Sequence, residues 1–213
     1  IVILTFLFIS TPTVAEESTK PRIPLVLNSL SLLEKKEMAN QWANDHREVA
    51  EIFGTNIIRS MNIKGVLLVL EDLPTLSLWS LKKDNKIPSP LAIYDFDGTF
   101  FKVLKTTSGK SIPNLSSNHS IEEIFQMRQI PEVQLIRNSK VPVYSSSRRD
   151  MSDIPEYRLI PSGMVYQFWK KGMAKPDYQK LVAKIRPLDS FLTKYPDTET
   201  RNMAAIIHYM SAE

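Results

Sequence analysis

The chain has 213 residues, and its 27 basic and 23 acidic residues give a formal net charge of +4. The basic residues are spread along the chain instead of forming a concentrated basic face, so we expect no nucleic-acid partner. The sequence contains no Cys, which excludes disulfides, thiolate metal sites and thiol redox chemistry. A chain of this length accommodates one domain of about 150 residues with flanking segments.

The first fifteen residues have the pattern of a targeting segment. Residues 1–9 are almost entirely apolar, and a stretch of small residues ending at Ala15 precedes the polar pair Glu16-Glu17. This order matches the second half of a secretory signal, and the apolar run is too short to span a bilayer. A buried N-terminal strand or helix is the alternative. We therefore expect a periplasmic or secreted mature protein without a membrane partner after signal removal.

The next part of the chain predicts a linker and then helices. Residues 16–24 are polar and contain two prolines, whereas residues 25–61 repeat apolar side chains with helical spacing. Gly54 is the predicted break between two helices. The predicted division is a signal peptide at 1–15, the linker and N-terminal helices at 16–61, an α/β domain at 62–190 and a C-terminal helix at 191–213.

The α/β domain begins with an apolar run that predicts a buried strand. Residues 64–70 are almost continuously apolar, which is typical of a strand covered on both faces. A turn at 71–75 follows, and residues 76–85 repeat leucines with helical spacing. Pro74 suits the beginning of that helix because its missing N–H would have no intrahelical partner.

A second apolar strand, at 91–94, leads into the sequence DFDGT at 95–99. This motif resembles the first motif of haloacid-dehalogenase-like phosphatases. The resemblance implies Asp95 as nucleophile and Mg²⁺ ligand and Asp97 as general acid. The late acidic pair that completes the family's Mg²⁺ site is not found after Lys171. The alternative is a β-hairpin, because Asp-Gly is a common hairpin turn.

The segment from 120 to 147 predicts a helix followed by two strands. Ser120 is a suitable cap for a helix that reaches Gln129. Residues 132–137 and 141–145 have strand composition, with a turn at Asn138-Ser139. Further along, we predict a strand at 164–169, an amphipathic helix at 176–185 and a last helix at 197–210.

The order of helix, Ile-Pro, strand, turn and strand in residues 124–147 resembles the second half of a thioredoxin fold. The resemblance implies a three-layer thioredoxin-like α/β/α sandwich with a helical N-terminal extension. It also implies that Pro131 is cis and faces a docking surface formed with Ile130, Asp72 and Pro74. An ordinary trans proline that opens an edge strand is the alternative. Without cysteines such a domain has no redox activity.

Two functions follow from these resemblances. An exported thioredoxin-like chain without cysteines is similar to the pilus-assembly (TrbC/TraW-like) proteins of F-type conjugative type IV secretion systems. That similarity implies a non-catalytic protein that binds protein partners during envelope assembly, with no cofactor. The alternative is an exported Mg²⁺-dependent phosphatase that uses Asp95 and Asp97.

Overall fold

A computed structural model of the chain describes residues 32–95, 98–104 and 121–212. Within these ranges the chain forms six α-helices and five β-strands. The helices are α1 (Leu32–Asp45), α2 (Arg47–Arg59), α3 (Asp72–Lys83), α4 (Ile121–Asn138), α5 (Tyr178–Val182) and α6 (Thr198–Ala212). The strands are β1 (Val66–Leu68), β2 (Ala92–Tyr94), β3 (Val143–Ser145), β4 (Arg158–Ser162) and β5 (Val165–Trp169). The predicted signal segment lies outside the described residues.

The five strands form one mixed sheet in the order β2-β1-β3-β5-β4. β1 pairs in parallel with both β2 and β3, and the register places Leu67 beside Ile93 on one side and Tyr144 on the other. β5 is antiparallel to β3 and to β4. The chain is therefore a mixed α/β protein, as the sequence predicts at this coarser level.

Helices cover both faces of the parallel part of the sheet. Leu67 of β1 points into a core that also contains Phe53 of α2, Leu78 of α3 and Met203 of α6. Its neighbours Val66 and Leu68 point the other way, toward Ile136 of α4, because successive side chains of a strand alternate between faces. All three residues of β1 are buried, which is why the predicted strand reads as a continuous apolar run.

The strand order of the sheet reverses at β1, because β2 is added on one side of it and β3 on the other. The first crossover runs from β1 through α3 to β2, and the second runs from β2 through α4 back past β1 to β3. Right-handed crossovers in opposite directions place their helices on opposite faces of the sheet, as the two cores show. The loops after β1 and β3 consequently lie side by side at the carboxyl ends of the strands, where open α/β sheets form a crevice.

The strand predicted at residues 132–137 is wrong, because α4 continues through Pro131 to Asn138. All peptide bonds in the described ranges are trans, so the cis Pro131 implied by the thioredoxin resemblance is wrong as well. A proline inside a helix removes one backbone hydrogen bond. Tertiary contacts offset this loss, since Ile136 packs on β1 and β3 and Glu132 forms an ion pair with Arg149 from the loop after β3.

Two further features differ from the sequence predictions. The break between the first two helices falls at His46, whereas Gly54 lies within α2, buried against Leu81 of α3. The structure contains a β-hairpin at 158–169, of which the sequence predicts only the second strand. Its two-residue turn has Gly163 in the first central position with φ +61°, the backbone geometry of a type II′ turn.

Candidate functional site

A crevice opens at the carboxyl ends of β1 and β3, where the strand order of the sheet reverses. We call it the switch-point crevice, and its volume is about 590 Å³, within the range of small-molecule sites. Three parts of the chain line it: the start of α3, the loop after β3 with β5, and α6. The lining residues are Glu71, Asp72, Leu73, Pro74, Ser146, Ser147, Arg148, Tyr166, Asn202, Ala205, Ile206, Tyr209 and Met210.

Asp72 is the first residue of α3 and the first candidate functional group of the crevice. Its Oδ1 atom is buried and finds no hydrogen-bond partner among the described residues. Burial raises the pKa of this carboxyl from 3.8 to about 6, because removal from water disfavours the charged form. A carboxyl group with this pKa changes its charge within the physiological range and can donate or accept a proton in a complex.

Ser147 is the second group whose hydrogen-bonding capacity is unused within the described part of the chain. The residue is only 9% exposed, and its buried hydroxyl has no partner there. Its two neighbours are engaged, because Ser146 Oγ accepts from the Leu70 N–H at 3.3 Å and Ser145 Oγ accepts from the Ser147 N–H at 3.4 Å. Buried polar groups are normally paired, so this hydroxyl is a candidate group for hydrogen bonding to a ligand.

A cation and an apolar wall complete the crevice. Arg148 Nε donates to the Tyr166 hydroxyl at 3.2 Å, and its guanidinium lies 5.6 Å from the centre of the Tyr166 ring. Across from this loop, α6 contributes Ile206, Tyr209 and Met210. Tyr209 is 55% exposed although it is a large aromatic residue. The crevice therefore combines two acidic side chains, one basic side chain and an apolar surface.

The four residues of the predicted docking surface do not line one cavity. Asp72 and Pro74 belong to the switch-point crevice. Pro131 is buried in α4 and lines a different cavity beside Tyr94, while Ile130 is 66% exposed. The separation follows from the helical conformation of residues 130–138, which carries Pro131 along α4 instead of toward the turn after β1.

Asp95 directly follows β2, and its hydrogen bonds stabilise the local backbone. It is 3% exposed, and its Oδ2 accepts from the backbone N–H groups of Phe100 and Phe101 at 2.6 and 3.2 Å. These bonds hold the chain in the turn that follows the DFDGT sequence. Asp97, the second residue of the predicted phosphatase pair, lies outside the described residues. β2, which ends one residue before Asp95, is also at the edge of the sheet.

A buried charge network supports the loop that carries Ser147 and Arg148. Arg128 donates to Glu132 Oε1 at 2.6 Å and to the Asp95 carbonyl at 2.7 Å, and Arg149 donates to Glu132 Oε2. Burial alone would raise the pKa of Glu132, but the charges of Arg128 and Arg149 outweigh it and hold the pKa below its usual value. The network fixes the loops after β2 and β3 to α4.

One group of side chains in the described part of the chain has its donor atoms close enough to hold a metal ion: His46, Asp197 and Glu199. His46 Nε2 lies 3.4 Å from Asp197 Oδ1, and Asp197 caps α6 by accepting from the Thr200 N–H at 2.7 Å. Capping and a His–Asp pair account for this arrangement without a metal. The group does not include Asp95, the predicted Mg²⁺ ligand.

The sequence analysis did not identify Ser147, Arg148 or the residues of α6 as site residues. A signal for the first two is present, because a serine run and an arginine directly follow the apolar strand β3. This signal identifies site residues only when β1 and β3 are known to be neighbours. The α6 residues lie 130 or more positions from Asp72 in sequence, and only the packing of α6 on the sheet brings them to the crevice.

Comparisons of the chain with family models, curated proteins and solved structures give no match. Function is therefore inferred from the site itself. None of the helices in the described ranges combines the length and the apolar character that a membrane crossing requires.

Proposed function

We propose that this protein binds a small ligand in the switch-point crevice and that binding, not turnover, is its task. The observation that carries the proposal is the presence of two buried polar groups, Asp72 Oδ1 and Ser147 Oγ, that lack partners among the described residues and belong to residues lining one crevice. Each such group costs about 1–3 kcal/mol when nothing satisfies it. A ligand with matching polar atoms recovers that cost.

The position of the crevice supports the proposal. Ligands of open α/β sheets bind outside the carboxyl ends of the strands at the point where the strand order reverses. The α3 helix also begins there, with Glu71 at its N-cap and Asp72 as its first residue. A volume of about 590 Å³ admits a molecule of metabolite size with both polar and apolar parts.

A fragment screen by ¹H–¹⁵N NMR tests this function. We expect the bound fragments to shift the amide signals of residues 71–73 and 146–148 more than those elsewhere. Ala205→Trp places an indole in the crevice and should abolish the shifts, whereas Arg201→Trp, on the same helix outside the crevice, should leave them unchanged. Fragments that collect instead in the cavity beside Pro131 and Tyr94 would refute the assignment.

Envelope assembly, as implied by the resemblance to pilus-assembly proteins, is a second proposal. Its support is the crevice itself, because it retains Asp72 and Pro74 from the predicted docking surface and has the exposed Tyr209 at its rim. A thioredoxin-like sandwich belongs to the same proposal. Neighbouring genes that encode a secretion system would favour it over a small-molecule role.

The phosphatase alternative is tested with a generic phosphate ester and Mg²⁺. We expect no Mg²⁺-dependent hydrolysis, because the Asp95 carboxylate already accepts two backbone N–H groups and is almost fully buried. Asp95→Asn should therefore lower stability without removing an activity. Hydrolysis by the wild type that Asp95→Asn abolishes would overturn the binding proposal in favour of an enzyme.

A further inference from the structure

The switch-point crevice has charges of both signs on two neighbouring loops. Glu71 and Asp72 follow β1, and Arg148 follows β3. Adjacent strands are about 4.8 Å apart, so the loops that continue them present opposite charges over a short span. Burial raises the pKa of Asp72, and within the described ranges no basic side chain contributes to lowering it.

The charge pattern discriminates between classes of ligand. A simple anion would meet the carboxyl groups of Glu71 and Asp72, and like charges placed together oppose binding. A simple cation would meet the Arg148 guanidinium, which the Tyr166 hydroxyl holds at 3.2 Å and the Tyr166 ring holds from one face. A ligand with adjacent positive and negative groups can place each group against the loop of opposite charge.

The third wall of the crevice is suited to an apolar side chain. Ile206, Tyr209 and Met210 of α6 line it, and Tyr209 exposes more than half of its surface. Aromatic and aliphatic surface of this kind gains free energy when a ligand removes it from water.

We infer that the ligand is a zwitterionic α-amino acid with an apolar side chain. This inference rests on the proposed function and specifies the ligand of the same site. The ammonium group binds Asp72, the carboxylate binds Arg148 and the Ser147 hydroxyl, and the side chain packs on Tyr209 and Ile206. In this arrangement the buried hydroxyl donates to a carboxylate and the buried carboxyl accepts from an ammonium, so both gain partners.

A proton accompanies binding. In the free protein Asp72 holds its proton below about pH 6, and an ammonium ligand favours the ionised carboxylate. The other titratable groups around the crevice are Glu71, Arg148, Tyr166 and Tyr209. Affinity for the amino acid should therefore rise between pH 5 and 7, with release of a proton into the buffer at the lower end.

The experiment compares L-phenylalanine and L-leucine with the matching amines and carboxylic acids that lack the opposite charge, by calorimetry with ¹H–¹⁵N NMR. We expect each amino acid to bind at least about tenfold more tightly than either of its analogues, since a hydrogen bond to a charged group contributes this much or more. Asp72→Asn should weaken amino acid and amine binding about tenfold and spare the acid. Arg148→Met should weaken amino acid and acid binding and spare the amine. Arg137→Met, an exposed arginine outside the crevice, is the matched control and should change none of them.

The outcomes separate this inference from the proposed function. Tighter binding of an amine or an acid than of its amino acid would overturn the zwitterion and retain the crevice as a site. Crevice shifts with screened fragments but not with any of these six compounds would do the same. The absence of crevice shifts with all compounds would refute the proposed function itself.

Discussion

Replacement of Asp72 by Asn tests the assignment of this residue as a buried, unpaired carboxyl. Asn keeps the size of the side chain and its ability to accept hydrogen bonds but cannot acquire a charge. Because burial raises the pKa of Asp72 to about 6, the folded state prefers the neutral carboxyl. Its contribution to stability is fully present below pH 3.8 and is lost as the pH rises through about 6.

The size of the effect follows from the pKa. Each unit of difference between the folded and unfolded pKa is worth 1.36 kcal/mol, so a rise from 3.8 to about 6 has a ceiling of roughly 3 kcal/mol. Asp72 keeps part of its surface in water, and solvent screening reduces the figure to about 1–2 kcal/mol. We expect Asp72→Asn to be more stable than the wild type by that amount at pH 7.5 and equally stable at pH 3.5.

Urea denaturation of both proteins between pH 3.5 and 7.5 measures this difference, and contributions from all other groups cancel in the comparison. Asp84, at the other end of α3, is the control with the opposite sign. Hydrogen bonding to Lys86 lowers its pKa, so Asp84→Asn should lose stability above pH 4 where Asp72→Asn gains it. A difference between Asp72→Asn and the wild type that is the same at every pH would refute the reasoning.

Three further substitutions give distinct expected outcomes. Glu132→Gln leaves the charges of two arginines without their buried partner and should cost about 3–5 kcal/mol of unfolding free energy. Glu156→Gln should cost much less, because water screens its exposed pair with Arg137; equal losses in urea denaturation would contradict the buried network. Gly163→Ala should lower the melting temperature, because φ is +61° and a Cβ would clash with the Ser60 hydroxyl. Gly172→Ala, with φ +96° and open space around it within the described structure, should lower it less, and the reverse order would contradict the packing of the hairpin. Ser147→Ala should unfold at the same or a higher urea concentration than the wild type, since it removes a buried hydroxyl that lacks a partner in the described structure; a marked loss would show that the hydroxyl is already engaged.

β1 and α6 were predictable from the sequence because the pattern of apolar residues in each fits one conformation. The apolar run at 64–70 predicts a strand buried on both faces, and β1 is buried throughout. The last helix, predicted at 197–210, forms α6 with its apolar residues Met203 and Ile207 in the core. In both cases the period of the apolar residues is set by which faces are covered, and that period is readable without knowledge of the neighbours.

Tertiary structure alone decided the conformation of residues 130–138. The sequence around Pro131 alternates polar and apolar residues well enough for a strand, and proline disfavours a helix. The helix forms nevertheless, because Ile136 gains a place against the sheet and Glu132 pairs with Arg149 from the loop after β3. The strands and Arg149 lie outside this helix, so the pattern of residues 130–138 could not report these contacts.

The candidate site also depended on the tertiary structure. Asp72 follows a recognisable strand, but the crevice exists only because β1 and β3 become neighbours and α6 packs across their ends. The pKa of Asp72 is a property of that enclosure and not of the residue. A sequence pattern reports which faces of one segment are buried, whereas a binding site forms where several segments come together. The order of strands in the sheet decides which segments those are.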